Sequence, residues 1–335
     1  MAFPIVGSGS AALVSGAYPG YSASASGSKF IPEIWSGKLQ VKFYKSTVLG
    51  EITNNDWEGE IKGQGDKVNI RAIPTITIRD YTKGQNLTNE VPVSTPIELL
   101  IDKGKYFSVV VDDVDAVQVD VKLMDMFTND ASEQMKIAID GTVLQNAYTS
   151  AASANQGATA GVNSGNINLG ATNAAITVTK DGASSTRSIL DMILDMGQVL
   201  DEQNVPEDGR WLVIPPWCAA MLKKSDLRQA YLTGDNESPL RNGKLGMIDR
   251  FTIYVSNNLA SVADNAGTTG TTADDYTGWY VMAGTRDAIS FASQITNVET
   301  LRAQSTFGNI VRGLNVFGYK VVKPEALVTA YIKKG

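Results

Sequence analysis

The stretch from Val68 to Val111 constrains the fold more than any other part of the chain. Val68, Ile70 and Ala72 fall on one side and Asn69 and Arg71 on the other, and the alternation resumes at Ile76 and Ile78 after Pro74. That is the two-residue period of a β-strand. A turn-like run, Asp80-Tyr81-Thr82-Lys83-Gly84-Gln85-Asn86, separates it from a return through Ile97, Leu99, Ile101, Phe107, Val109 and Val111. The whole reads as one long two-stranded ribbon with no face able to close a core of its own. Such a ribbon is marginal alone in water, so it is expected to lie on another surface, first of all a second copy of the same chain. The first expectation is therefore a building block of an assembly.

Composition narrows the chemistry. The 335 residues are 43% hydrophobic, enough for a packed core, and the length suggests about two domains. Lys plus Arg total 29 against 35 Asp plus Glu, a net charge of −6, which argues against a surface that coats nucleic acid. There is no histidine, and Cys218 is the one cysteine. A histidine-based triad, a His/Cys zinc site and an internal disulfide are thereby excluded. No apolar run approaches the roughly 20 residues of a membrane span, and the N-terminus lacks the layout of a secretory signal. A soluble chain made in a reducing cytoplasm is expected, with no membrane partner.

Along the chain, residues Met1 to Ser28 are mostly Gly, Ser and Ala and read as a flexible arm. Pro32 opens a short amphipathic helix through Ile34, Trp35, Leu39, Phe43 and Val48, with Gly50 as its stop. After the ribbon, Leu123, Phe127, Ala131, Ile137, Ala138, Leu144 and Tyr148 predict a helix of about 30 residues, on the order of 45 Å long. A loop follows from Thr149 to Gly165, with a short strand at Ala174 to Val178. A second helix starts near Ser184 to Ser188 and buries Ile189, Ile193, Met196 and Leu200. Trp211 to Ile214 is a strand, stopped by Pro215-Pro216, which starts a further helix through Trp217, Met221 and Leu222. Phe251 to Val255 is a strand, Ala263 to Asp275 a loop, and strands dominate from Trp279 onward: Trp279 to Met282, Ile289 to Phe291, Val298 to Thr306, Ile310 to Val322 and Ala326 to Ile332. The class is α+β, with no alternating βαβ period.

No residue set calls for catalysis. Gly63 and Gly65 lack the strand-then-helix setting of a dinucleotide fingerprint and read as turn residues at the ribbon base. Asp112, Asp113 and Asp115 are read as caps of the long helix in preference to a metal or acid-base cluster. Asp264, Asp274 and Asp275 do not have the spacing of a calcium loop. Cys218, beside Trp217, Ala219 and Ala220 and with no histidine to activate it, reads as a buried structural thiol. Lys83 at the ribbon tip could in principle join a neighbour's Asn in an isopeptide bond, but an ordinary surface lysine is the favoured reading. No catalytic residue, cofactor or metal is expected.

Five blocks in order then carry a resemblance. They are Phe30-Ile31-Pro32-Glu33-Ile34-Trp35-Ser36, Gly65-Asp66-Lys67-Val68-Asn69-Ile70, the run from Leu200 to Trp211 (LDEQNVPEDGRW), the run from Gly246 to Leu259 (GMIDRFTIYVSNNL), and Arg312-Gly313-Leu314-Asn315-Val316-Phe317-Gly318. The sequence resembles the major capsid proteins of tailed bacteriophages. The resemblance implies the capsid fold shared by tailed phages and herpesviruses, with an N-terminal arm (1–31), an N-terminal helix region (32–57) and an extended β-hairpin loop (58–112). It further implies a peripheral domain with a long spine helix and long strands (113–150 and 295–322) and an axial domain (151–294 and 323–335). Subunit contacts are then expected at the extended-loop tip, through Asp80, Tyr81, Lys83, Gln85 and Asn86, and at the peripheral hairpin, through Arg302, Thr306, Asn309 and Arg312. The implied function is an icosahedral head enclosing double-stranded DNA without specific binding, assembled in the host bacterial cytoplasm. The partners implied are hexamers and pentamers of the chain itself, a separate scaffolding protein and a portal. The rivals are another virion part such as a tail-tube subunit, and a histidine-free hydrolase.

Overall fold

Local signals and long-range pairing divide the work of building this chain. The structure is a computed structural model that describes residues 44–57, 67–71, 73–74, 76–113, 123–182, 186–225, 246–265, 275–304 and 306–335. The expected arm at 1–31, the helix expected from Pro32 as far as Phe43, the turn glycines Gly63 and Gly65, Asp115 and most of the Ala263–Asp275 loop lie outside these residues. The described end of that expected helix is corrected, since residues 44–48 are not helical and Gly50 lies within a short helix, Leu49–Ile52, rather than stopping one.

In chain order the elements are α1 (Leu49–Ile52), β1 (Lys67–Arg71), β2 (Pro96–Leu100), β3 (Lys103–Asp112), α2 (Leu123–Leu144), β4 (Ile176–Thr179), β5 (Arg187–Ser188), α3 (Ile189–Glu202), β6 (Arg210–Ile214), α4 (Pro216–Lys224), β7 (Met247–Ile248), β8 (Phe251–Val255), β9 (Ser261–Asn265), β10 (Asp275–Thr285), β11 (Ile289–Arg302), β12 (Gly308–Val321) and β13 (Leu327–Lys334). They form three sheets. The largest has eight strands in the order β5-β4-β13-β10-β6-β8-β7, with β9 on β10; a second runs β11-β12-β3; the third is β1-β2 alone.

The eight-stranded sheet holds the main core. Every residue of β6 is buried, as expected for a strand with neighbours on both edges and cover on both faces. β6 runs parallel to β8 and antiparallel to β10, and β13 runs parallel to β4, so the sheet is mixed although the chain lacks a regular βαβ period. Helix α3 starts where expected: the Ser188 side chain accepts a hydrogen bond from the Leu190 N–H, satisfying one of the free donors of the first turn. It buries Ile189, Met192, Ile193, Met196, Val199 and Leu200, the spacing of one helical face. Pro216 occupies the first turn of α4, where its missing N–H costs nothing. Cys218 is fully buried there, and burial pushes its thiol well above its ordinary range. A nucleophilic thiolate is thereby disfavoured.

Glu202, at the end of α3, anchors the 160–167 loop. Its carboxylate accepts the backbone N–H groups of Asn163 and Ser164 at 2.8 and 3.1 Å and the Gln198 amide at 3.0 Å. Desolvation raises the carboxyl, but these donors outweigh it and bring it from 4.5 down to about 2.

Three further expectations are corrected. The return leg of the ribbon ends at Leu100, and β3 leaves it to pair with β12, where Phe107 faces Gly313 and Val111 faces Asn309. The base of the ribbon does close a small core, Val68, Ile70, Leu99 and Ile101 packing with Ala292 and Val322. The long helix is described over 22 residues, Leu123–Leu144, and a separate 3-10 turn follows at Ala147–Ser150. Asp113 is held by Arg302, whose guanidinium donates to both carboxylate oxygens. Such a bidentate pair satisfies both oxygens at once.

Candidate assembly surfaces

The arm between β1 and β2 is built on its small core. Val68 stands opposite Leu99 and Ile70 opposite Ile97, which places one apolar face of the two-stranded base against the long hairpin of β11 and β12. Gly318 permits that approach: a Cβ there would lie 2.0 Å from the Leu100 carbonyl oxygen. Only glycine lets the two backbones come this close.

Beyond the base the chain leaves the protein. Residues 76–82 and 85–95 have no strand partner, and Ile73 (95% exposed), Ile76, Ile78 (90% exposed), Tyr81, Leu87, Val91 and Val93 all face solvent. The arm turns at Thr82–Gln85, where the Gln85 N–H donates to the Thr82 carbonyl at 3.0 Å and Gly84 takes φ +89°, a conformation that suits glycine at the third turn position. The Gln85 side-chain oxygen accepts from the Thr82 N–H and hydroxyl at 3.1 and 3.0 Å. Thr77 meets Glu90 across the arm, hydroxyl to carboxylate at 3.4 Å. Asp80, Tyr81, Lys83, Gln85 and Asn86 thus gather at one exposed tip, with Gln85 turned inward to hold the turn. Each large apolar side chain would contribute about 1.5–3 kcal/mol on burial, so the arm offers on the order of 10 kcal/mol gross to a surface that covers it, before the costs of association.

The three-stranded sheet presents a second unpartnered surface. Tyr106 (80% exposed) stands opposite Leu314, and Val110 stands opposite Ile310, which faces Leu301 on β11. Between these two apolar pairs, Arg312 lies opposite Ser108 and Glu299 and forms an ion pair with Glu299. On the alternate face Val111 and Val311 are buried, and α2 rests against β3 and β12. At the far end, Arg302 donates to Asp113 and lies 3.4 Å from the Asn309 side-chain oxygen, while Thr306 and Phe307 (80% exposed) occupy the exposed turn. The structure therefore brings Arg302 and Asn309 together and places Arg312 farther along the sheet, with both arginines held by partners in their own chain. Phe307, Tyr106, Val110 and Leu314 are apolar surface residues that sequence reading passes over. Their signal is the second face of the alternation in β3, which the larger Phe107, Val109 and Val111 face obscures.

Among the described residues no group of three or more His, Cys, Asp or Glu is placed to hold a metal ion, and no helix is long and apolar enough to cross a membrane.

The fold recurs in known proteins. A family model described as phage capsid protein matches residues 96–330. A solved structure from Mycobacterium phage Che8 superposes with a TM-score of 0.70 at 28% identity, over 90% of this chain and 96% of that one. The capsid of Cyanophage P-SCSP1u matches with a TM-score of 0.63 at 15% identity, over 93% of this chain and 95% of the other. The mature capsid of bacteriophage PhiM1 matches equally well, at 0.63 and 15% identity over 94% and 95%. No curated protein sequence matches. Because the family model covers well over half of the sequence and the solved capsids share its fold from end to end, the chain belongs to the phage capsid protein family.

Proposed function

We propose that the chain works as the major capsid protein of a tailed bacteriophage, a structural subunit that assembles with copies of itself into the head shell. The observation that carries this reading is the arm at residues 73–95, whose apolar side chains have no cover within the subunit. In this reading the arm is the extended loop and α2 is the spine helix. The sheet of β3, β11 and β12 belongs to the peripheral domain and the eight-stranded sheet to the axial domain. A neighbouring copy covers the arm, with its tip residues Asp80, Tyr81, Lys83 and Asn86 at the contact, and the hairpin end with Arg302, Thr306, Asn309 and Arg312 meets another subunit. Residues 1–31 correspond to the N-terminal arm in this reading.

A separate scaffolding protein and a portal complete the proposed partners, assembly takes place in the host cytoplasm, and the finished shell resides in the virion. The packaged duplex is enclosed without specific binding, since a net charge of −6 gives little scope for counterion release at phosphates. Electron microscopy of the expressed chain, alone and with co-encoded scaffold, tests the proposal. Closed polyhedral shells are the expected result; filaments would favour a tail-tube subunit, and discrete small oligomers would sink the shell reading.

A further inference from the structure

We infer that Asp140 is a positioning residue, a buried latch that holds the segment around Val48 and Leu49 to α2 and to the turn after β8. Asp140 lies inside α2 and is 1% exposed. One carboxylate oxygen accepts the backbone N–H groups of Val48 and Leu49 at 2.9 and 3.0 Å, and the other accepts the Asn258 amide at 2.6 Å. Three segments far apart in sequence therefore meet on one side chain.

Each contact answers a need that its own segment leaves unmet. Helix α1 starts after Val48, which has no side-chain acceptor to cap it, and an uncapped buried N–H is costly. Asn258 follows β8 and is itself buried, its N–H donating to the Ser256 hydroxyl at 3.1 Å, while the Ser256 N–H donates to the Ile214 carbonyl of β6 at 3.1 Å. The latch thus joins the segment around Val48 and α2, which rests on the three-stranded sheet, to the end of β8 in the eight-stranded sheet. On either side of it the segment has further contacts, among them Arg286, which donates to the Glu51 carbonyl at 2.8 Å and to its carboxylate at 3.1 Å. Tyr44 donates to Asp130 at 2.9 Å on an exposed surface, and Asn54 exchanges backbone hydrogen bonds with Ile289 and Phe291 on β11 at 2.8 and 2.9 Å.

A buried carboxylate on α2 with hydrogen bonds to both other segments holds the three in one arrangement, because releasing either strands a buried polar group. On the shell function proposed above, on which this last step rests, a subunit that keeps these segments in one arrangement is the one that assembles.

The test uses the full chain and a glutamate-specific protease that cuts after Glu51, which lies exposed between the latch and the β11 contact. Asp140→Ala removes all three hydrogen bonds, whereas Asp140→Asn keeps the acceptor for Val48 and Leu49 and can pair with Asn258 once that amide turns over. Val143→Ala, a buried position one turn along the same helix, serves as a control of general destabilisation. Compared at equal margins below their thermal midpoints, Asp140→Ala is expected to be cut about tenfold faster than Val143→Ala, the scale set by losing hydrogen bonds to a buried charge. Asp140→Asn should stay within about twofold of the parent chain if the acceptor is what matters. Equal cutting of Asp140→Ala and Val143→Ala would overturn the latch. Should Asp140→Ala fail to fold, Asn258→Ala decides. A rise in cutting of about three- to fivefold is expected from loss of that one bond, and no rise overturns the inference.

Electron microscopy of the same variants separates the two levels. Asp140→Ala is expected to give few closed shells beside a shell-forming Val143→Ala. Normal shells from Asp140→Ala would remove the assembly role, and a parent chain that forms no shells would break the capsid reading while the proteolysis still judges the latch.

Discussion

β6 and the arm between β1 and β2 draw on the same apolar residue types and end in opposite surroundings. In β6, Trp211, Leu212, Val213 and Ile214 are all buried, paired to β8 on one edge and β10 on the other. In the arm, Ile73, Ile78, Val91 and Val93 are at least four-fifths exposed. The contrast lies in the available partners. The three-stranded sheet stands between these extremes, one face covered and the other open at Tyr106 and Val110. A soluble monomer seldom exposes this much contiguous apolar surface without an interaction to cover it. The comparison thus separates residues that stabilise the subunit from residues that, on the proposed function, another copy covers.

Deleting Asp80–Asn89 tests that separation most severely. Shell formation should be abolished, yet the subunit should stay folded with its thermal midpoint shifted by no more than about 2 °C, because the tip adds nothing to the core. Normal closed particles from the deletion, or an unfolded subunit, would break the comparison. Single substitutions sharpen it. Leu212→Ala is expected to lower subunit stability by about 2–5 kcal/mol in urea titrations, the range for emptying a packed core site. Ile78→Ala should change it by less than about 0.5 kcal/mol, as for surface changes generally, while slowing assembly followed by light scattering. Similar losses at both sites would erase the distinction.

The folded half also carries a pH dependence. Glu202 has a carboxyl lowered from 4.5 to about 2. A lowered carboxyl stabilises the fold above its unfolded value, and that contribution is lost as the pH falls from about 4.5 toward about 2. Urea midpoints measured across this window should fall less steeply for Glu202→Gln than for the parent chain, and parallel curves would show that the 160–167 loop does not depend on the ionised carboxylate. The smallest expected effect is at the tip. Lys83→Ala should leave the behaviour of mature particles in denaturing gels unchanged, both giving a single band near the 35.8 kDa of the chain. A ladder that disappears on substitution would mean that Lys83 forms covalent links between subunits.

Much of the fold is legible in local pattern. Ser188, the apolar face from Ile189 to Leu200 and the Pro215-Pro216 pair mark α3 and the start of α4, because capping, helical period and proline geometry act within a few residues. The burial of Cys218 could also be read from its apolar neighbours and the absence of histidine. The arm tip was legible for the same reason, since Thr82, Gly84 and Gln85 close their turn locally. The open face of Tyr106, Val110 and Leu314 was not, because alternation marks two faces without saying which is covered.

By itself, the sequence determined the α+β class, most strand and helix positions, the exclusion of histidine chemistry and the family to which the chain belongs. Only the tertiary structure decided that β3 abandons the ribbon for β12, that Arg302 reaches Asp113, and that Asp140 gathers Val48, Leu49 and Asn258. The physical reason is range. Periodicity and capping are settled by neighbours in sequence, whereas a strand edge or a buried carboxylate accepts whichever donor the finished packing brings within about 3 Å, and Val48 and Asp140 are 92 residues apart in sequence.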